Sequence, residues 1–172
     1  KTYDVYKDDT LLNRKPKKSR KIFVCLDEQR GQYLVDGLIA MDFPLSSGVK
    51  AYPTKTGDYT VISKKEDHAS NLYGKMYDAE GKCINYNAES TDPVPEGGRF
   101  DGSPMPYWQR LTNAGLGLHV GKVRRHPISH GCVRLPRNVA EILYKQTSVG
   151  TPVTIQRTPL PVPEAQKAPA VQ

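Results

Sequence analysis

The chain has 172 residues, 37% of them hydrophobic and 25% charged, and a formal net charge of +7. That length holds one ordinary domain with modest tails and enough apolar material for a real core. The positive charge suits an anionic partner, but there is no recognition-helix pattern or aromatic RNA motif to point to nucleic acid. No apolar run approaches the roughly 18 residues of a membrane span, and no signal-peptide core is visible. Because the first residue is Lys1 rather than methionine, an export signal is expected to have been removed.

Residues 1–20 are of mixed polarity and lead into the basic run Arg14-Lys15-Pro16-Lys17-Lys18-Ser19-Arg20-Lys21, which reads as a solvated N-terminal arm. The domain proper is expected over 21–157. It opens with three apolar runs of strand type, 22–26, 32–35 and 38–43, the last two joined by Asp36-Gly37, a two-residue turn of type I′. These predict an antiparallel meander. Residues 46–48 and 53–57 are rich in turn formers, and 57–63 reads as a further strand. The stretch 64–102 is polar and punctuated by Gly81, Asp92-Pro93, Pro95 and Gly97-Gly98, so it reads as a long, lid-like loop excursion. Residues 105–111 and 116–120 read as strands, the second carrying His119 near its end. Beyond residue 132, Leu135-Pro136 opens a helix with Val139, Ile142 and Leu143 on one face, closed at Gly150. Residues 153–157 predict a last strand, and the proline-rich tail 158–172 an extended appendage. Many strands, one main helix and functional loops describe a mainly β, sandwich- or barrel-like domain.

The chemistry concentrates in Ser129-His130-Gly131-Cys132-Val133-Arg134-Leu135, with His119 thirteen positions before the cysteine. A thiol beside a glycine, with imidazoles close by, is what acyl transfer through a thioester requires. The thiol attacks a carbonyl, a histidine manages the proton, and glycine lets backbone N–H groups approach an oxyanion. Free cysteine is only a few per cent ionised at neutral pH, so Cys132 needs a neighbouring base or cation. By sequence alone either His119 or His130 can be that base. The chain's three cysteines are an odd number, which marks one thiol as reactive. Cys25 and Cys83 then either pair as a disulfide or remain separate buried thiols.

Several other residues are candidates. Ser129 is expected to bond within its own loop, and the N–H groups of Gly131 and Cys132 to face the oxyanion. Arg134 carries a guanidinium suited to a carboxylate, or else to a structural ion pair orienting the loop. Tyr107 and Trp108 are placed to wall a substrate site, although core packing suits one of them better. His68 is a candidate substrate contact within the polar excursion, and His126, before Pro127, reads as an exposed loop residue. A zinc reading combines His126 and His130 with His119 and Cys132; Pro127 breaks the helix such a pair needs, and no second Cys-x-x-Cys arm exists. No cofactor is expected.

The heptad resembles the signature of the YkuD-type L,D-transpeptidases, bacterial enzymes that remodel peptidoglycan. The similarity extends over about 21–157. It includes Val35-Asp36-Gly37, the stretch 43–48, Pro53-Thr54-Lys55-Thr56-Gly57, His68-Ala69-Ser70-Asn71-Leu72-Tyr73-Gly74, Met105-Pro106-Tyr107-Trp108, Gly117-Leu118-His119 and Gly150-Thr151-Pro152-Val153. Lys55-Thr56 departs from the proline, and Val120 from the glycine, that many relatives carry. The resemblance implies a β-sandwich with the cysteine loop at a sheet edge, His119 as the base, and His130 supporting the loop. It implies attack on the L-centre carbonyl of residue 3 of a tetrapeptide stem, release of D-Ala, and transfer to an amine of a second stem or a wall-anchored lipoprotein. Water as acceptor gives an L,D-carboxypeptidase, and a toxin aimed at a competitor's wall would carry the same residues. A non-catalytic wall-binding module is the non-enzymatic alternative. The family also implies an extracytoplasmic setting and acylation of the same thiol by carbapenems.

Overall fold

The computed structural model describes residues 4–159 and 162–167. Its residues form two units, one built from the described residues up to 64 together with those from 107 onward, the other from 65–106.

The first unit holds a six-stranded sheet whose central strands carry the buried apolar residues. Its strands are β1 (Tyr6–Lys7), β2 (Arg20–Cys25), β3 (Arg30–Val35), β4 (Leu38–Pro44), β5 (Gly57–Thr60) and β13 (Pro152–Gln156), in the order β1-β4-β3-β2-β13-β5. The expected β2-β3-β4 meander is present. Its turn residues Asp36 and Gly37 both take positive φ, 52° and 81°, as a type I′ turn requires. The Asp36 carboxylate also accepts from the N–H groups of Lys18 and Ser19 and from Arg14, and it is held below its ordinary pKa chiefly by the Ser19 bond.

A second sheet runs β12 (Val133–Leu135), β11 (Gly117–Val120), β10 (Trp108–Arg110), β6 (Ser63–Lys65). Residues 57–63, expected as one strand, instead change sheets. Gly150 N–H donates to the Val61 carbonyl and Val61 N–H to Thr151, beside β13, while Ile62 N–H donates to Arg110 on β10. The strand expected over 105–111 starts only at Trp108, because Tyr107 sits at φ 55°. Helix α2 (Arg137–Gln146) buries Val139, Ala140 and Leu143 on one face. Both sheets and α2 feed one core cluster that includes Ile22, Tyr33, Phe43, Leu118, Val133 and Leu143. Fully burying each such side chain contributes about 1.5–3 kcal/mol. At the end of α2 the Lys64 ammonium donates to the carbonyls of Tyr144 and Thr147, which suits the negative pole of the helix.

Three expectations need correction. The N-terminal arm is not simply solvated. β1 pairs with β4, and in α1 (Asp9–Leu12), capped by the Asp8 carboxylate, Leu11 and Leu12 are only 4% and 6% exposed. Two adjacent leucines outweigh the surrounding charge, while most residues on either side of them stay at the surface. The polar excursion is not a long loop: the second unit is an antiparallel sheet of β7 (Ala69–Tyr77), β8 (Cys83–Glu89) and β9 (Arg99–Pro104), in the order β8-β7-β9. Few of its residues are buried, chiefly Gly74, Met76 and Ala88, so period-2 alternation barely registers in the sequence. In the tail, residues 164–166 form one 3₁₀ turn, and the Gln166 side-chain amide pairs with both backbone groups of Ile39; positions 160–161 and 168–172 lie outside the described residues. All three cysteines are free thiols. No helix among the described residues is long and apolar enough to cross a membrane.

Candidate active site

Strand register assembles the site. β11 pairs in parallel with β12, Leu118 opposite Val133 and His119 opposite Arg134; β10 pairs antiparallel with β11, Gln109 opposite Leu118 and Arg110 opposite Gly117. Gln109, Leu118 and Val133 therefore form one row facing the core, and all three are buried. Successive side chains alternate between faces, so His119, Arg134 and Arg110 leave the other face, as does Cys132, which directly precedes Val133. Sheet spacings put the Cα atoms of His119 and Cys132 about 8 Å apart, within reach of an imidazole and a thiol leaning together.

His119 is 7% exposed, and its Nδ1 lies 2.7 Å from the Val120 carbonyl. That carbonyl can only accept, so Nδ1 carries the proton and Nε2 is the ring's basic nitrogen. The Trp108 indole packs beside the ring, with centroids 6.0 Å apart. Gly117 makes room for it, since a β-carbon there would sit 2.5 Å from the indole. Of the two aromatics expected at the site, Trp108 is thus beside His119. Tyr107 packs edge-on to Tyr144 of α2, at 5.4 Å, against the core.

The cysteine loop rests on residues 46–49. Ser46 and Arg134 exchange both backbone bonds, and Ile128 and Ser129 donate to the Ser47 carbonyl. Ser47 is itself gripped by buried Gln29, whose amide accepts from Ser47 N–H and donates to its hydroxyl. The Thr54 hydroxyl links the layers, accepting from Gly48 N–H (2.8 Å) and donating to the Gly131 carbonyl (2.7 Å). Gly131 takes φ 122°, which favours glycine. The Ser129 hydroxyl bonds within its loop, donating to the Cys132 carbonyl (2.5 Å) and accepting from Gly131 N–H (3.1 Å). Of the two N–H groups expected to face an oxyanion, that of Gly131 is therefore already engaged.

The Cys132 thiol donates to the Gly115 carbonyl at 3.2 Å. Burial pushes its pKa up, against a backbone hydrogen bond from Gly117 and the charges of Arg134 and Arg110. The resting group is consequently the neutral thiol, and attack needs a base. Arg134 lies half-buried with its stem over Gly121, and burial lowers its pKa. The structural ion pair considered for it finds no carboxylate among the described residues.

The remaining candidates are the other three histidines. His130 is exposed, its ring edge-on to Tyr52 at 5.0 Å, on the outside of the loop. His126 is exposed near the Pro127 carbonyl. His68 belongs to the 65–106 unit, where its carbonyl accepts from Met105 N–H. Among the described residues no group of three or more His, Cys, Asp or Glu is arranged to hold a metal, so the tetrahedral zinc set does not assemble. Sequence reasoning missed Arg110, Gly48, Thr54 and Gln29. Gly48 and Thr54 lie in stretches that carry the resemblance, and Arg110 carried a local signal, standing two positions after Trp108 on the same strand face.

The YkuD family model, described as an L,D-transpeptidase catalytic domain, matches residues 19–155. Probable L,D-transpeptidase 3 of Mycobacterium tuberculosis is 32% identical over 120 residues, covering 66% of this chain and 38% of its own length. A solved L,D-transpeptidase from Mycobacterium smegmatis superposes with a TM-score of 0.62 at 22% identity, over 80% of this chain and 58% of its own. L,D-transpeptidase 3 from Mycobacterium tuberculosis, solved with a faropenem-derived adduct, gives 0.59 at 24% identity, over 80% and 60%. At these identities the structural likeness concerns the fold. The chain spans less than two thirds of each of these relatives.

Proposed function

The chain belongs to the L,D-transpeptidase catalytic-domain family, and from that premise we propose that Cys132 and His119 carry out peptidyl transfer through a thioester. One observation supports this best: strand register puts both side chains on one sheet face, with His119 Nδ1 tied to the Val120 carbonyl so that Nε2 is the base. In the first half-reaction the thiol proton passes to His119 Nε2 as Sγ attacks the L-centre carbonyl of the third stem residue. The tetrahedral intermediate collapses by breaking the bond to D-Ala, whose amine takes the proton from His119. In the second, an acceptor amine attacks the thioester, His119 removes its proton, and the thiolate leaves and is reprotonated. Acceptors are a second stem, giving a 3–3 cross-link, or a wall-anchored lipoprotein. Water in the same place gives hydrolysis. Such substrates place the working enzyme outside the cytoplasm, in the periplasm or wall. Ser129 shapes the loop through its two bonds, and His130 supports it from outside.

The test pairs a carbapenem with a disaccharide tetrapeptide. Intact mass should show one covalent adduct on Cys132, and Cys132→Ala should lose both adduct and turnover. His119→Gln should slow thioester formation about 10²–10⁴-fold, as expected for loss of a general base. His126→Gln should change it by less than about twofold, as expected for a surface residue. Turnover by Cys132→Ala, or equal effects of the two histidine variants, refutes the assignment. Mass analysis of products with and without an added amine separates transfer from hydrolysis.

A further inference from the structure

Arg110 stands in register with Gly117 on β10 and leaves the sheet on the Cys132 side. Its guanidinium lies 5.3 Å from the Trp108 ring centroid and donates a long hydrogen bond, 3.4 Å, to the Thr112 carbonyl. The charges of Arg110 and Arg134 both reach the Cys132 sulfur. Neither arginine meets a carboxylate among the described residues, although Arg14, Arg30 and Arg157 each pair with an aspartate. Two half-buried guanidinium groups beside a nucleophile, with no counter-ion, are costly to hold in the folded chain unless a ligand brings the negative charge. Stacking on Trp108 fixes the plane of Arg110 and leaves the edge of its fork for a bidentate acceptor.

The spacing fits a short reach. Side-chain-free Gly117 stands in register with Arg110 on one side and level with Cys132 on the other, so the Cα atoms of Arg110 and Cys132 are about 10 Å apart with no side chain between them. Arg134 follows Cys132 by two positions, about 6.6 Å along the strand. A carboxylate one residue beyond an attacked carbonyl lies about 3.8 Å further along its own backbone.

We propose that Arg110, together with Arg134, forms a carboxylate-binding site beside Cys132 that selects acyl donors whose leaving residue carries a free carboxylate. This rests on the acyl-transfer reading of Cys132, and within it Arg110 determines specificity while Cys132 and His119 do the chemistry. Binding is measured by calorimetry on Cys132→Ala, which holds substrate without turnover, using the tetrapeptide acid and its C-terminal amide. The acid should bind about tenfold tighter than the amide, the worth of one charge-assisted pair, and the gap should shrink with salt. Arg110→Met should erase most of that difference, and Arg110→Lys should restore part of it. In the otherwise wild-type chain, Arg110→Met should raise KM for the acid far more than for the amide. Equal binding of acid and amide overturns the proposal, as does an Arg110→Met variant that weakens both alike, the mark of a merely structural role. Loss of the transpeptidase reading shows separately, as absence of turnover in the wild-type chain while the acid still binds better than the amide. Should Arg110→Met fail to fold, the acid–amide comparison on Cys132→Ala decides by itself.

Discussion

Gly48→Ala is the sharpest perturbation that the site offers. A β-carbon at Gly48 would lie 2.0 Å from the Tyr52 carbonyl oxygen, 2.8 Å from the Gly131 Cα and 2.9 Å from the Gly131 nitrogen. All three are backbone atoms, so no side-chain rotation relieves the overlap. Gly48 is not among the residues at positive φ, so alanine meets no dihedral penalty and the clash is the whole effect. Opening the shortest contact from 2.0 Å to an ordinary 3.4 Å needs a shift of about 1.4 Å. Gly131 directly precedes the nucleophile and is tied to Gly48 through the Thr54 hydroxyl, so the shift is transmitted to Cys132. Misplacement by about 1 Å costs roughly 10²-fold in rate, and overpacking costs about 1–3 kcal/mol in stability. For a chain of this size that is a drop in Tm of about 2–12 °C. The assay is the second-order rate of carbapenem adduct formation by intact mass, beside a calorimetric Tm. A variant that is acylated within about threefold of wild type, with unchanged Tm, would show that this backbone approach plays no part in holding the nucleophile.

Two further outcomes follow from charge and burial. Lys64→Met keeps the aliphatic stem near Tyr144 but removes the ammonium that serves the Tyr144 and Thr147 carbonyls; it should cost about 1–2 kcal/mol, and an unchanged Tm would refute the capping role. Burial raises the Cys132 pKa, so the unfolded chain ionises this thiol first. Its stabilising contribution is complete below the ordinary thiol value of about 8.5 and lost as pH rises through the higher folded value, so the Tm of wild type relative to Cys132→Ala should fall above that point; a flat difference would contradict it.

The parts of the fold legible in the sequence are those where burial leaves apolar residues in a run or at a period. β2, β3 and β4 announce themselves by apolar runs and by the Asp36-Gly37 turn, and α2 by Val139, Ile142 and Leu143 at helical spacing. The strands of residues 65–106 are illegible for the opposite reason: in β8 only Ala88 is buried, so hydrogen bonding rather than an apolar face defines the strand. Leu11 and Leu12 were obscured by the charge around them.

At the candidate site, residue type and spacing alone singled out Cys132 and its loop, kept His119 in view, and set the mainly β class, because reactive groups and local periodicity are written in consecutive residues. Register between β10, β11 and β12 is not written there. It arises when separate segments dock, and it alone brings His119 and Arg110 to the face that carries the sulfur. The same holds for Gly48 and Thr54, which touch Gly131 from far up the chain. Their fitness depends on backbone-to-backbone distances that exist only once the core has closed.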